Sequence, residues 1–213
     1  MALSYRERAA HGEPTGLLVL HHGRGSDELD MMGLGEALDP QRRLHLLAPR
    51  APLVLPGAPG FHWYVVPRVG HPDPDTFAAS VLQLAALHDE VWERTAITPA
   101  QTVLGGFSQG SVMSCALALS PERPPPGGLL ALSGFIPTVA GWQPDLAGRP
   151  ALRAFVAHGR ADPVISVDYG RAAREELLAG GIEVEYREGD GGHEIDGGTL
   201  AAASAWLAGA ISR

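Results

Sequence analysis

Residues 106–110 read Gly-Phe-Ser-Gln-Gly, and this segment restricts the local fold more strongly than any other in the chain. A short apolar run at 102–104 precedes it, and small, helix-compatible residues follow it from 111 to 119. A glycine two residues before and after the serine permits a sharp strand–turn–helix bend, because a bulky Cβ at either position would collide with neighbouring backbone. We therefore predict a nucleophile elbow with the Ser108 hydroxyl exposed at its tip.

Short apolar runs alternate along the chain with segments of helical periodicity. We predict strands at 3–8, 16–22, 43–48, 101–105, 129–133, 151–158 and 182–188, and helices at 28–38, 75–94, 108–119, 167–179 and 199–211. The second helix has apolar residues at three-to-four spacing: Phe77, Val81, Leu82, Leu84, Leu87, Val91 and Trp92. Alternating strands and helices form a mostly parallel sheet covered on both faces. The predicted fold class is α/β.

An activated serine needs a base and an acid, and this elbow is followed along the chain by the acid and then by a histidine. His158 and His193 are the two histidines after Ser108. His158 would have to work with Asp145, which lies in a loop with no preceding strand. Asp162 instead follows an apolar strand, where the carboxyl ends of parallel strands place functional groups. His193 lies in a glycine-rich loop after the next strand. We predict Ser108, Asp162 and His193 as a catalytic triad.

Asp168 and Asp190 also precede His193, but they fit a helix cap and a solvated loop better than the acid of the triad.

The remaining groups of the predicted site follow from the charge that develops during acyl transfer. The oxyanion needs fixed donors, and one is the backbone N–H of the residue after the nucleophile, Gln109. Residues 21–25 read His-His-Gly-Arg-Gly, a turn that brings the Arg24 N–H beside the serine. A phosphate-binding loop is the alternative for these glycines, but neither of its sequence signatures is present.

Four segments, in order, together resemble the phospholipase/carboxylesterase family of α/β-hydrolases, which includes acyl-protein thioesterases and small bacterial carboxylesterases. They are residues 20–25, 106–110, 158–164 and 192–195. The resemblance implies an α/β-hydrolase fold, the triad named above, and oxyanion amides from Arg24 and Gln109. Two departures concern substrate choice. The family often has Leu in place of Arg24, and its aromatic-acidic patch appears as Trp63-Tyr64-Val65, without the acid. Protein-deacylating specificity is therefore not carried over.

Two long insertions are expected to shape the substrate pocket. The predicted substrate contacts are Gly23, Trp63, Tyr64, Phe135, Ile136 and Val164. The insertion at 50–74 carries the tryptophan and the tyrosine, which either line an acyl pocket or pack the loop onto the body of the protein. The insertion at 134–150 starts just past a strand, so its first aromatic and aliphatic residues favour lining the pocket. Neither insertion is long enough for a helical cap domain, and we expect an open site.

Composition limits the class of protein and its partners. A chain of 213 residues, 45% hydrophobic and 19% charged, is predicted to form one globular domain over 1–213. Its net charge of −8 argues against nucleic acid or an anionic membrane as the main partner. The single Cys115 excludes an internal disulfide and is typical of the reducing cytoplasm. It is expected to be a small core residue.

Targeting segments and metal ligands are not evident in the sequence. Residues 1–8 lack the apolar core of a signal peptide, and no run approaches the ~20 apolar residues of a membrane span. We therefore predict a cytoplasmic protein. The pair His21-His22 has no further ligand at zinc-binding spacing, so neither a metal nor a cofactor is predicted. Apolar loop surfaces would allow a homodimer, although nothing in the sequence demonstrates one.

The predicted function is that of a serine esterase that acts on small, short-chain acyl esters. The same triad would also serve an acyl thioesterase or a lysophospholipase. A non-catalytic binding module is the alternative from a different class, and it would require a broken triad. The Arg24 side chain either faces solvent, which is the favoured interpretation, or attracts anionic groups at the mouth of the site.

Overall fold

The computed structural model describes residues 2–210, which contain a seven-stranded sheet. Its strands are β1 (Tyr5–Arg8), β2 (Gly16–His21), β3 (Leu44–Pro49), β6 (Thr102–Phe107), β7 (Gly128–Leu132), β8 (Arg153–Gly159) and β9 (Glu183–Gly189). Across the sheet they run in the order β1-β3-β2-β6-β7-β8-β9. The first strand pairs antiparallel with β3, and the other neighbouring pairs are parallel. A short hairpin pairs β4 (Leu53–Val54) with β5 (Phe61–His62).

Helices cover both faces of this sheet. They are α1 (Glu28–Leu38), α2 (Pro74–Thr95), α3 (Gln109–Ala118), α4 (Val167–Ala179) and α5 (Gly197–Ala210). One apolar cluster joins the sheet to Met31 of α1 and Trp206 of α5. The other joins the opposite face to Leu84 of α2, Met113 of α3 and Leu177 of α4. Because both faces are covered, β2 and β7 are buried along their whole length and read as continuous apolar runs.

The predicted α/β-hydrolase fold without a cap domain is confirmed. Each predicted strand and helix matches an observed element, with ends displaced by at most two residues in the described chain. Ile211, the predicted last residue of the final helix, lies outside the described residues. No helix among residues 2–210 is long and apolar enough to cross a bilayer.

Two predictions about the region from 50 to 95 were wrong. Leu82 does not belong to the buried stripe of α2, because it is 68% exposed. It lies 200° around the helix from Leu84, at the usual ~100° per residue, and the polar residues Ser80 and His88 are buried in the stripe instead. The insertion at 50–74 is also more than a loop. It contains the β4–β5 hairpin, and a backbone bridge from Phe61 to Ser26 ties it to the segment after β2.

Candidate active site

The bend at the end of β6 holds Ser108 in a strained backbone conformation. Its φ is 54° and its ψ is −121°, a region that costs a residue with a Cβ about 1–3 kcal/mol. The Ser108 N–H donates to the carbonyl of Leu132 at 2.9 Å, and its own carbonyl accepts from the Val112 N–H at 3.2 Å. Strand β7 and helix α3 therefore hold the bend from both sides. The serine as a whole is 9% exposed.

The two glycines of the elbow are needed because the bend lies against the end of β2. A Cβ on Gly106 would come 2.5 Å from the carbonyl oxygen of Gly110 in α3 and 2.7 Å from that of His21 in β2. A Cβ on Gly110 would meet the carbonyl groups of His21 and His22 well inside van der Waals contact. These neighbours are backbone atoms at the end of β2 and the start of α3, so they cannot move aside cheaply. The need for glycine at both positions could be predicted from the sequence motif, and the structure identifies β2 as an element that both glycines approach.

Replacing Gly110 with alanine is therefore expected to destabilise the whole domain. The new Cβ would force β2 and α3 apart, which we expect to cost about 3–5 kcal/mol and to lower Tm by about 10 °C. The matched control is Gly33→Ala on α1, where a Cβ has open space. That change should be neutral or stabilising by up to about 1 kcal/mol. Thermal unfolding of both variants checks this, and equal Tm values would contradict it.

Ser108, Asp162 and His193 form one chain of hydrogen bonds. Nδ1 of His193 lies 2.7 Å from Oδ2 of Asp162, and its Nε2 lies 2.8 Å from Oγ of Ser108. The acid follows β8 and the histidine follows β9, and the two loops are bonded to each other. The N–H of Ala161 donates to the carbonyl of Gly191 at 3.1 Å. Because β8 and β9 are parallel neighbours, both loops leave the sheet at the same edge.

The carboxylate of Asp162 is held on both of its oxygens. Its side chain is completely buried. Oδ1 accepts the backbone N–H groups of Val164 at 2.8 Å and Ile165 at 2.9 Å, while Oδ2 faces His193. Burial by itself raises the pKa of Asp162, but the hydrogen bonds from His193 and the two amides outweigh it, so the pKa lies below its ordinary value. The group is therefore held as a carboxylate.

His158 contacts the same carboxylate, and sequence reasoning gave it no role. Its Nε2 lies 2.8 Å from the carbonyl of Ile165 and 3.3 Å from Oδ2 of Asp162, and its side chain is completely buried. A carbonyl oxygen can only accept, so this nitrogen carries a proton and donates it to Ile165. The position of His158 at the end of β8 is visible in the sequence. Its contact with Asp162 is not visible in the sequence, because that contact depends on how residues 160–165 turn back over the strand.

The backbone amides of Arg24 and Gln109 are available for a ligand. Neither donates a hydrogen bond to another residue in the range 2–210, and both residues border the cavity beside Ser108. The Gln109 side chain has a separate use. Its Oε1 accepts the Trp63 N–H and its Nε2 donates to the Tyr64 carbonyl, both at 2.7 Å. It therefore anchors the insertion at 50–74 to the elbow, which the sequence did not reveal.

Two cavities open onto Ser108 and His193. The larger has a volume of about 430 Å³ and is bordered by three of the predicted substrate contacts, Tyr64, Phe135 and Val164. The second, of about 360 Å³, is bordered by Gly23, a fourth predicted contact. A hydrolytic site needs room on both sides of the scissile bond, and this arrangement offers it.

Trp63 and Ile136 do not border either cavity, so the structure does not support them as substrate contacts. Trp63 is completely buried, and its Nε1 donates to the carbonyl of His22 at 2.8 Å. Its indole packs against the rings of His21 and His22. Ile136 packs against the core on the α2–α3 side. Of the two alternatives for the tryptophan, packing the insertion onto the body is the observed one.

The other groups with reactive chemistry near the elbow are engaged in the core. Nδ1 of His21 lies 2.8 Å from Oγ of Ser114, while Nε2 of His22 accepts the N–H of Ala51 at 3.0 Å. Burial lowers the pKa of both imidazoles, so both are neutral. Burial likewise raises the pKa of the Cys115 thiol to about 12. No group of three or more His, Cys, Asp or Glu side chains within 2–210 is placed to hold a metal ion.

Comparisons with known proteins identify the family. The phospholipase/carboxylesterase family matches residues 8–211. Acyl-protein thioesterase 1 of Yarrowia lipolytica is 30% identical over 80% of this chain and 78% of its own. The protein of the same name from Debaryomyces hansenii is 32% identical over 62% of this chain, a match that spans only 60% of that relative. The solved structure of esterase PE8 is 30% identical, with a TM-score of 0.82, and covers 98% of this chain and 99% of its own. The chain belongs to the phospholipase/carboxylesterase family of α/β-hydrolases.

Proposed function

We propose that the protein hydrolyses carboxylic esters of small, short-chain acyl groups through an acyl-enzyme on Ser108. The observation that carries the proposal is the hydrogen-bonded chain from Asp162 through His193 to the serine hydroxyl. A serine hydroxyl is a weak nucleophile at its own pKa, and an adjacent imidazole oriented by a carboxylate is the usual means of activating it.

The proposed reaction has two halves. Oγ of Ser108 attacks the ester carbonyl carbon while its proton moves to Nε2 of His193, and the carbonyl oxygen becomes an oxyanion. Collapse of this intermediate breaks the bond to the alcohol, which leaves with the proton from the imidazole. Water then attacks the acyl-enzyme by the same route, and the acid product and the free serine are released. Asp162 stabilises the imidazolium in both halves.

The backbone N–H groups of Arg24 and Gln109 are proposed as the oxyanion donors. Each such donor is worth about 3–4 kcal/mol of transition-state stabilisation in hydrolases of this kind. A backbone donor does not depend on its side chain, so Arg24 serves this role as well as another residue would. Arg24 borders both cavities beside Ser108, so its side chain bears on substrate choice instead.

A second candidate is hydrolysis of acyl thioesters. It is favoured by the similarity to acyl-protein thioesterase 1 from two yeasts. Hydrolysis of lysophospholipids is the third, since the family description names phospholipases. The oxygen ester is preferred because esterase PE8 matches almost the whole chain at 30% identity. The aromatic-acidic patch that is common in the family is also incomplete here, at Trp63-Tyr64-Val65, and protein-deacylating specificity is not carried over.

Matched oxygen esters and thioesters with the same acyl chains, from acetyl to dodecanoyl, would separate these candidates. We expect kcat/KM to be highest for short oxygen esters. A fluorophosphonate should label the protein stoichiometrically, and Ser108→Ala should abolish the labelling. Ser111→Ala is the matched control, because this buried serine lies one helical turn away and has no hydrogen-bond partner within 2–210. Higher kcat/KM for thioesters across the series, or for a lysophospholipid, would replace the proposed substrate class.

A further inference from the structure

Two arginines border the larger cavity beside Ser108 without any partner. Arg24 comes from the segment after β2, and Arg68 comes from the loop between β5 and α2. Both residues are exposed. Neither guanidinium makes a hydrogen bond or an ion pair with another residue in the described part of the chain. Two segments that are distant in the sequence thus bring two unpaired arginines to one cavity, and Arg24 borders the second cavity as well.

Most of the other arginines in the described part of the chain have a partner. Carboxylates pair with Arg8, Arg42, Arg43, Arg50, Arg94, Arg123, Arg153, Arg160, Arg171 and Arg174. Arg149 donates to backbone carbonyls and Arg187 to a threonine hydroxyl. Among residues 2–210 only Arg6, Arg24 and Arg68 lack such a partner. The chain carries a net charge of −8, so carboxylates are plentiful, and two of these three unpaired arginines border the same cavity.

The two cavities differ in the charged residues that border them. The residues that border the larger one include no Asp or Glu, within the described chain. The nearby carboxylate of Asp162 is completely buried and faces His193. The second cavity is bordered by Arg24 as well, but there a carboxylate, Asp30, stands beside the arginine, together with apolar residues such as Met31 and Leu34. An anion is therefore attracted more strongly to the larger cavity than to the second one.

The larger cavity is also apolar enough to bind a hydrocarbon segment. Val66 and Val69 border it and are 40% and 36% exposed, and Val164 is 55% exposed. Phe135 adds an aromatic surface. Exposed valines beside free guanidinium groups suit a ligand that has an apolar body and an anionic end.

We propose that the ester accepted by this site carries an anionic group on the part that occupies the cavity bordered by Arg24 and Arg68. This inference rests on the proposed esterase function and narrows its substrate class. The guanidinium of arginine binds carboxylate and phosphate oxygens through paired N–H donors, and it keeps its charge at every working pH. The other part of the ester, in the cavity that contains Asp30, is neutral and apolar.

The experiment compares matched pairs of esters that differ in one negative charge, with a carboxylate as the probe. In the first pair the charge is on the acyl side: the mono-p-nitrophenyl ester of adipic acid and its methyl ester. In the second it is on the alcohol side: the hexanoate esters of p-hydroxybenzoate and of methyl p-hydroxybenzoate. The readout is the ratio of kcat/KM for the anionic ester to that for its neutral partner.

We expect a ratio of about ten in one of the two pairs, because an exposed ion pair contributes about threefold and two arginines act together. Arg68→Gln should lower this ratio about threefold, mainly through KM, and the double variant Arg24→Gln/Arg68→Gln should bring it near one. Using the ratio cancels any effect on the Arg24 amide, since both esters of a pair need it. Arg6→Gln is the matched control, a free exposed arginine remote from the cavity, and should leave the ratio unchanged.

An ionic-strength series on the unmodified protein provides a second measurement that needs no variant. Added salt should lower kcat/KM for the anionic ester and leave that for its neutral partner nearly constant. A ratio of one or less in both pairs, or an unchanged ratio in a folded Arg68→Gln variant, overturns the inference. Failure of the esterase function itself would look different: neither the anionic nor the neutral esters would be hydrolysed, and Ser108 would not be labelled.

Discussion

Replacing Ser108 with alanine is expected to lower kcat for the best ester by about 10⁶-fold. The hydroxyl is the only group at the bend that can form the acyl-enzyme, and its Oγ is the atom 2.8 Å from Nε2 of His193. Without it, the imidazole and the free amides of Arg24 and Gln109 can still bind and polarise an ester. We therefore expect KM to change little and a residual rate of about 10³-fold over water to remain.

Steady-state hydrolysis of a short p-nitrophenyl ester measures the loss, and a stopped-flow burst of p-nitrophenol measures acyl-enzyme formation. The wild-type protein should show a burst equal to the enzyme concentration, and the Ser108→Ala variant should show none. Ser111→Ala should retain both burst and turnover, since its hydroxyl lies one helical turn away. A Ser108→Ala variant that keeps more than about 1% of the activity would remove this serine from the reaction.

The relative placement of Ser108, Asp162 and His193 could be predicted from the sequence because it depends on topology. Ser108 directly follows one predicted strand, and Asp162 and His193 lie in the loops that follow two others; strands of a parallel sheet end at one edge. The order of serine, acid and histidine and the glycines around the elbow then select among the candidates. Three other expectations stay predictions: the single domain over 1–213, the cytoplasmic location and the homodimer. They concern the protein as a whole, and the geometry at this edge of the sheet does not test them.

Contacts made by loops could not be predicted in the same way. Trp63 is aromatic and lies in an insertion near the site, which fits both a pocket wall and a buried anchor. Its burial is decided by the carbonyl of His22, far away in the sequence, which accepts its indole N–H. The contact of His158 with Asp162 depends on the path of residues 160–165. Whether Arg24 and Arg68 have a partner within the described chain depends on where each carboxylate of the fold lies. No local sequence pattern encodes those positions.

Replacing Asp162 with asparagine is expected to lower kcat/KM by about 10⁴-fold while leaving the fold intact. An asparagine can keep the two hydrogen bonds from the amides of Val164 and Ile165, because its carbonyl oxygen accepts them as Oδ1 does. Its NH₂ group would then face Nδ1 of His193 and donate to it. The proton would be forced onto Nε2, and the imidazole could no longer take one from Ser108.

The pH dependence of this loss follows from the direction of the Asp162 pKa. The wild-type pKa lies below its ordinary value of 3.8, so the carboxylate is ionised throughout assays from about pH 5 to about pH 9. The loss should therefore stay large over that whole range. The stability that the carboxylate contributes is present above about pH 4 and is lost as the pH falls through the folded-state pKa, so the Tm difference between wild type and variant should shrink only in acid.

Kinetics across this pH range, with Asp168→Asn as the matched control, would test the assignment. Asp168 also lies between Ser108 and His193 in the sequence, but its side chain is 77% exposed and pairs with Arg171. Its substitution should change kcat/KM less than about twofold, because an exposed ion pair contributes little. If the Asp162→Asn substitution lowered kcat/KM by less than about tenfold, another group would have to orient His193. The buried imidazole of His158, 3.3 Å from the same carboxylate, would then be the next residue to replace.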